Sequence, residues 1–151
     1  MEQDLEPRDL PPLVDGELTL YLVERTLGDP VRNRVPQYRW DIKAGGTRVG
    51  NISLRIGHTE YVEKYAGHIG YGIDHEFRGH HYAARAVVLV LPVAASHGFR
   101  TVWVTCNPEN VASRRTCERA GGQLIDIVDL PPEIDMYKEG ERQKCRYRFV
   151  L

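Results

Sequence analysis

Apolar and polar residues alternate through Glu17–Arg25, with Leu18, Leu20 and Leu22 on one side and Thr19, Tyr21 and Val23 on the other, the period of a β-strand. The same alternation returns in Gln37–Lys43, where Tyr38, Trp40 and Ile42 interleave with Arg39, Asp41 and Lys43. It returns again in Thr47–Ile56, which lines up Ile52, Leu54 and Ile56. Ala44-Gly45-Gly46 joins these two strands as a hairpin turn, and Gly50-Asn51 is a candidate bulge. Further strands are predicted at Gly67–Ile73, Thr101–Cys106, Gln123–Leu130 and Lys144–Leu151. The apolar run from His80 to His97 is too long and too alanine-rich for a strand and predicts a helix, kinked at Pro92 and stopped at Gly98. Asn107 followed by Pro108 predicts the cap and first position of a second helix, which ends at Gly121-Gly122. Residues 1–16, with Pro7, Pro11 and Pro12, read as an irregular lead-in, and Thr26–Pro36, Gly57–Ala66 and Pro131–Gln143 read as loops. The order implies an α/β (α+β) fold: a mixed, mostly antiparallel sheet flanked by helices.

Length and composition narrow the class. A chain of 151 residues predicts a single domain over 1–151, and 42% hydrophobic with 27% charged residues is enough to bury a core. A net charge of −1 gives no general attraction to nucleic acid or to a membrane surface. No apolar run is long enough to span a bilayer. The acidic start, Met1-Glu2-Gln3-Asp4-Leu5-Glu6, lacks the basic region of a secretory signal. Cys106, Cys117 and Cys145 are three cysteines without CxxC spacing, which argues against a disulfide framework or a zinc ribbon and for a reducing, cytoplasmic setting.

Candidate chemistry concentrates between the strand Gly67–Ile73 and the helix that follows. Arg78-Gly79-His80-His81-Tyr82-Ala83 lies at this handover. The first amides of a helix have no internal acceptor and sit at its positive end, so they suit a diphosphate. Gly79 allows close backbone approach, and Arg78 can add a charge-assisted bond. The alternative is an ordinary tight turn. Gly70 and Gly72 lie inside the strand, so the segment is not a dinucleotide fingerprint. His75, His80 and His81 do not have a recognised metal-ligand spacing, and no metal is expected. Lys144, Arg146 and Arg148 form a basic strand face that either meets an acidic partner or is simply solvated.

Arg78-x-x-x-x-Ala83 resembles the acyl-CoA pyrophosphate motif of the GNAT N-acetyltransferase superfamily, usually Gln/Arg-x-x-Gly-x-Gly/Ala. Downstream, Asn110-x-x-Ser113 with Glu118-Arg119-Ala120-Gly121 resembles that superfamily's last core helix. The likeness covers roughly Tyr38–Leu130 and is nearest the bacterial branch that includes the ribosomal-protein N-terminal acetyltransferases. It implies a GNAT-like fold and an acetyl-CoA-dependent N-acetyltransferase that moves the acetyl group to a primary amine of a small molecule or protein by direct attack in a ternary complex. A homodimer is a further expectation. Two departures stand out. His81 occupies a position where the family usually has glycine, and the region after the first strand is too short and proline-rich for the usual helix pair.

By the same resemblance, the backbone around Arg78, Gly79, His80, His81, Tyr82 and Ala83 would hold the pyrophosphate. The strand edge at Tyr71, Gly72 and Ile73 would pair with the pantetheine arm, and Asn110 and Ser113 would contact the cofactor. Cys117 occupies the place of the family's tyrosine acid and is the candidate proton donor, against a plain reading as a small buried residue. His68 is the candidate base, against a hydrogen-bonded core histidine. Glu76 is a second candidate base, and Tyr71 is a candidate neighbour of the reaction. A rival of another class is a non-catalytic acyl-CoA-binding or sensing module. A third reading is a site for another phosphorylated ligand.

Overall fold

The computed structural model describes residues 4–151. Five antiparallel strands form one sheet in chain order: β1 (Leu13–Asp15), β2 (Leu18–Thr26), β3 (Gln37–Ala44), β4 (Thr47–Arg55) and β5 (Ile69–Ile73). Three more, β6 (Thr101–Cys106), β7 (Gln123–Asp129) and β8 (Gln143–Val150), form an antiparallel second sheet with β8 in the middle. Helix α1 (Tyr82–Ser96) leads from β5 to β6, α2 (Val111–Arg119) from β6 to β7, and the single turn α3 (Asp135–Lys138) from β7 to β8. No helix of the described residues is long and apolar enough to cross a membrane.

The predicted alternation accounts for the core. Leu18, Leu20, Tyr38, Trp40, Ile42, Ile52 and Leu54 point to one side of the first sheet and are fully buried. Against them α1 sets Ala86, Val87, Val90, Val93 and Ala94, compact residues that let the helix lie close to the sheet. The helix is continuous through Pro92, which sits at an exposed position where water can satisfy the carbonyl that proline leaves free.

The two sheets touch at one end and part at the other. His68 N–H donates to the Trp103 carbonyl at 2.7 Å, and Trp103 N–H donates to His68 Nδ1 at 2.9 Å. Beyond these bonds no ladder joins β5 to β6, so residues 70–73 of β5 have no strand neighbour on that side. On its other side β5 is pressed against β4: a Cβ added to Gly50 would lie 2.1 Å from the Gly72 carbonyl oxygen. A bulge makes this possible. Ile42 pairs with Gly50 and Lys43 with Arg48, so Val49 is the extra residue, one position before the expected Gly50-Asn51. The Val49 carbonyl then accepts from Asp74 N–H at 2.8 Å and steers the chain from β5 into the turn before α1.

Several local expectations need correction. Part of the stretch expected to be an irregular lead-in, Leu13–Asp15, pairs with β2 as a strand, and residues 1–3 of that stretch lie outside the described residues. Arg8 N–H donates to the Tyr38 hydroxyl at 2.9 Å, and that hydroxyl meets Nε2 of the buried His97 at 2.7 Å, so the lead-in is tied to the core. The loops at 57–66 and 131–143 contain a π-helical turn, Tyr61–Ala66, and α3. The second helix starts at Val111 with Asn110 as its cap, whereas Asn107 opens the preceding turn: Asn110 N–H donates to the Asn107 carbonyl at 2.9 Å. Only a three-residue 3-10 turn, Pro30–Arg32, lies between β2 and β3, as the short proline-rich segment predicts.

Candidate active site

Where the sheets part, a cleft of about 760 Å³ opens between the end of β5, the turn before α1 and one face of α2. The turn has unusual backbone geometry. Gly79 has φ 92°, and His81, the N-cap of α1, has φ 62° and ψ 22°, in the left-handed region. That conformation explains a glycine preference at position 81, because any Cβ there is crowded. His81 takes the same path despite its side chain, which is exposed at the cleft wall.

The turn aims donors into the cleft. Arg85 N–H to the His81 carbonyl, 3.1 Å, is the first bond of α1, so among the described residues the amides of Tyr82, Ala83 and Ala84 have no acceptor. The first turn of α1 carries no side-chain cap and no acidic residue to compensate them. A negatively charged oxygen is the complementary group. Arg78 lines the cleft but spends Nε on the Ile73 carbonyl at 3.1 Å, which fixes the turn to the end of β5 and leaves its other N–H groups free. His80 lines the same wall, stacked on Tyr82 with ring centroids 5.2 Å apart. Opposite, α2 contributes Ala112, Ser113, Arg115, Thr116 and Arg119, with Glu118 as the one carboxylate of that wall. Asn110 closes the end of the cleft while its Oδ1 accepts from Ser113 N–H at 3.1 Å.

On the floor, Tyr71 reaches from β5 to α2. Its hydroxyl lies 2.7 Å from Ser113 Oγ, 3.3 Å from the Ser113 carbonyl and 3.9 Å from Cys117 Sγ. Burial, helped by the neighbouring Cys117, pushes the phenol above its ordinary range, so it stays protonated. Cys117 is 1% exposed and is not part of the cleft wall. Its thiol is hydrogen-bonded, not disulfide-linked, to that of Cys106 at the end of β6. That bond favours ionisation at Cys106, and together with burial it pushes the Cys117 thiol up. Cys117 therefore sits behind the hydroxyl pair, not at the surface where a substrate would lie.

His68 also lies outside the cleft, and its role as candidate base is corrected on geometry. It is 1% exposed; Nδ1 accepts from Trp103 N–H, which leaves Nε2 to donate to the Gly57 carbonyl at 3.1 Å. Burial, with the neighbouring His58 in second place, lowers its pKa to about 4. The ring is neutral and fully bonded, and it acts as a rivet between the two sheets. Glu76 is an exposed residue of the 3-10 turn His75–Phe77, outside the cleft wall. Among the described residues His58, Glu63 and His68 bring ligand atoms within 4.8 Å of one another, but both nitrogens of His68 are already used by backbone groups, so the trio is not a ready ligand set.

Tyr71, Gly72, Ile73, Arg78, Gly79, His80, His81, Tyr82, Ala83, Asn110 and Ser113 all line the one cleft. Sequence reasoning missed Phe77, Ala84, Ala112, Arg115, Thr116, Glu118 and Arg119. For α2 a signal was available: Ala112, Arg115, Thr116 and Arg119 recur at helical spacing on one face of the helix.

The sequence profile described as the acetyltransferase (GNAT) domain matches residues 15–123. A comparison with curated proteins finds no match. Among solved structures the chain is similar to RimL, the ribosomal L7/L12 α-N-protein acetyltransferase, in complex with coenzyme A. The TM-score is 0.68 at 13% identity, covering 93% of this chain and 98% of that one. It is also similar to the Salmonella typhimurium acetyltransferase that modifies the N-terminal serine of ribosomal protein L7/L12 (TM-score 0.59, 17% identity, 80% of this chain and 66% of that one). A third likeness is to the microcin C7 self-immunity acetyltransferase MccE in complex with acetyl-CoA and AMP (TM-score 0.60, 19% identity, 76% of this chain and 61% of that one).

Proposed function

The chain belongs to the GNAT acetyltransferase family, and we propose that it transfers the acetyl group of acetyl-CoA to a primary amine by direct attack in a ternary complex. The observation that carries the reading is the set of unpaired amides at Tyr82, Ala83 and Ala84, facing a cleft whose opposite wall supplies Arg115 and Arg119. A diphosphate placed at the start of α1 takes those amides, and the guanidinium groups of Arg78, Arg115 and Arg119 balance the remaining charge. The pantetheine arm then runs along the unpaired edge of β5 toward Tyr71.

In the reaction the neutral amine nitrogen attacks the thioester carbon and gives up its surplus proton to water, the C–S bond breaks, and the departing sulfur takes a proton from a neighbouring hydroxyl, which water then reprotonates. Ser113 Oγ is the cleft-wall hydroxyl next to Tyr71, and the Tyr71 phenol, 2.7 Å away, supports it. Ser113 is the proton donor in this reading and Tyr71 its positioning residue. Most of the acceleration comes from holding amine and thioester together. The acceptor class follows two neighbours named for acetylating a protein N-terminus. A cytoplasmic setting agrees with three free, buried cysteines, and a homodimer rests on family resemblance.

The test is release of free CoA thiol from acetyl-CoA, measured with N-terminal serine peptides and with small primary amines. Release that depends on one of these acceptors is expected. Tight acetyl-CoA binding with no release for any acceptor would overturn the catalytic reading in favour of a binding or sensing module. Two observations give that rival its footing: Cys117 lies behind the wall, and His68 has no free nitrogen.

A further inference from the structure

A second recess, about 540 Å³, shares no lining residue with the first. It lies at the other end of the β5–β6 pair, where α1 hands over to β6, and is walled by Arg100, Thr101, Trp103, Arg148 and the His58–Glu63 pair. Three cations of β8 face the same way, and the structure treats them differently. Lys144 is bonded to Glu141 at 2.8 Å. Arg146 is bonded to Asp126 at 3.1 Å and lies over the Trp103 ring, 4.0 Å from its centroid. Arg148, in the wall of the recess, has no carboxylate at ion-pair distance among the described residues. Its Nη2 makes one long bond, 3.5 Å, to Gln123 Oε1, and its Nε is shielded from solvent without an acceptor.

The Nε lies below the surface, so a ligand in the recess meets the outer guanidinium nitrogens of Arg148, whose natural complement is an oxyanion. Arg100 stands in the same wall and also has no carboxylate at ion-pair distance among the described residues. Glu63, the one acidic residue there, is occupied by His58 Nδ1 at 3.1 Å, and Thr101 adds a hydroxyl. Two guanidinium groups without a carboxylate partner among the described residues match the near-double charge of a phosphate monoester better than the single charge of a carboxylate.

We propose that this recess binds a small molecule carrying a phosphate monoester, with Arg148 and Arg100 as its anchors. The inference is independent of the chemistry of the first cleft. The test is an NMR titration of the full chain with inorganic phosphate, AMP and acetate at constant ionic strength, repeated with acetyl-CoA present to occupy the first cleft. The resonances followed are the Trp103 indole N–H and the Arg148 Nε–H, with the core Trp40 indole as internal control. Saturable shifts of Trp103 and Arg148 by phosphate or AMP, weaker for acetate and unchanged by acetyl-CoA, are expected. Arg148→Gln and Arg100→Gln should each weaken binding by about tenfold or more. AMP tighter than phosphate would point to a nucleotide-like ligand, and equal affinity to the phosphoryl group alone. Shifts that do not saturate, that are as strong with acetate, or that survive both substitutions would overturn the proposal. Arg100 is exposed, so Arg100→Gln decides the matter if Arg148→Gln does not fold.

Discussion

His81→Gly separates backbone strain from ligand chemistry at the one position where this chain departs from the glycine of its family's turn. The residue sits at φ 62° and ψ 22° with an exposed side chain that makes no hydrogen bond to the protein. A left-handed non-glycine residue costs roughly 1–2 kcal/mol. Glycine removes that strain but returns about 0.5–1 kcal/mol through the greater freedom of the unfolded chain. The net gain is then about 0.5–1 kcal/mol, a rise of roughly 1–4 °C in midpoint for a domain of this size. His81→Ala keeps the Cβ and so keeps most of the strain. Thermal unfolding followed by circular dichroism should therefore rank Gly above the native His and place Ala near or below it. A glycine variant less stable than the native chain, or an alanine variant equal to glycine, would refute the strain argument. Acetyl-CoA affinity provides the second axis. If the backbone amides do the binding, the glycine variant binds as tightly as the native chain. A tenfold loss would show instead that the imidazole itself contacts the diphosphate.

Three further outcomes follow from the geometry. Gly50→Ala forces a Cβ to within 2.1 Å of the Gly72 carbonyl oxygen, and both partners are backbone of paired strands; denaturant unfolding should show a loss of roughly 1–3 kcal/mol or more, and a loss under ~0.5 kcal/mol would mean the β4–β5 contact is looser than described. Ser113→Ala should lower kcat by about 10²-fold with little change in KM for acetyl-CoA, and Tyr71→Phe should lower it less, since Tyr71 acts through Ser113; equal turnover in all three proteins would remove the hydroxyl pair from the mechanism. His68 is neutral in the fold down to about pH 4, whereas the unfolded chain binds that proton from about pH 6.5, so stability is complete above pH 6.5 and is lost as pH falls toward 4, by up to about 3 kcal/mol; His68→Gln should flatten unfolding free energy against pH within that window, and an unchanged slope would assign the acid sensitivity elsewhere.

What could be read from the sequence was set by how local each signal is. The alternations around Tyr38, Trp40, Ile42 and Ile52 and the long alanine-rich run gave the sheet faces and α1 because each is decided within a few residues of chain. The phosphate turn was legible for the same reason, since strand, Arg78-Gly79 and helix start are contiguous. The helix cap was misplaced because Asn107-Pro108 and Asn110 both carry start signals. Only the turn closed by Asn110 N–H on the Asn107 carbonyl decides between them. Roles that depend on pairing across elements were not legible. His68 has the right residue type for a base, but whether its nitrogens are free depends on Trp103 and Gly57, 35 and 11 residues away.

The same reasoning explains why we propose Ser113, and not Cys117, as the proton donor. Both lie on α2, one turn apart, and the sequence motif favours the former position. The direction each side chain takes is set by β5 and β6: Cys106 draws the Cys117 thiol inward, whereas Tyr71 holds Ser113 at the cleft wall. A cysteine in place of a long tyrosine leaves the floor of the cleft to be filled from the opposite strand, and Tyr71 fills it with a hydroxyl that ends 3.9 Å from Cys117 Sγ. The phenol is thus supplied from β5 in place of α2, and its hydroxyl is paired with Ser113 Oγ at 2.7 Å in the cleft wall. Restoring the motif with Cys117→Tyr should then clash with Tyr71 and cost stability, whereas the double variant Cys117→Tyr, Tyr71→Ala should recover a folded protein. Non-additivity of about 1 kcal/mol or more in that double-mutant cycle is the expected result, and additive losses would show that the two positions do not share one space.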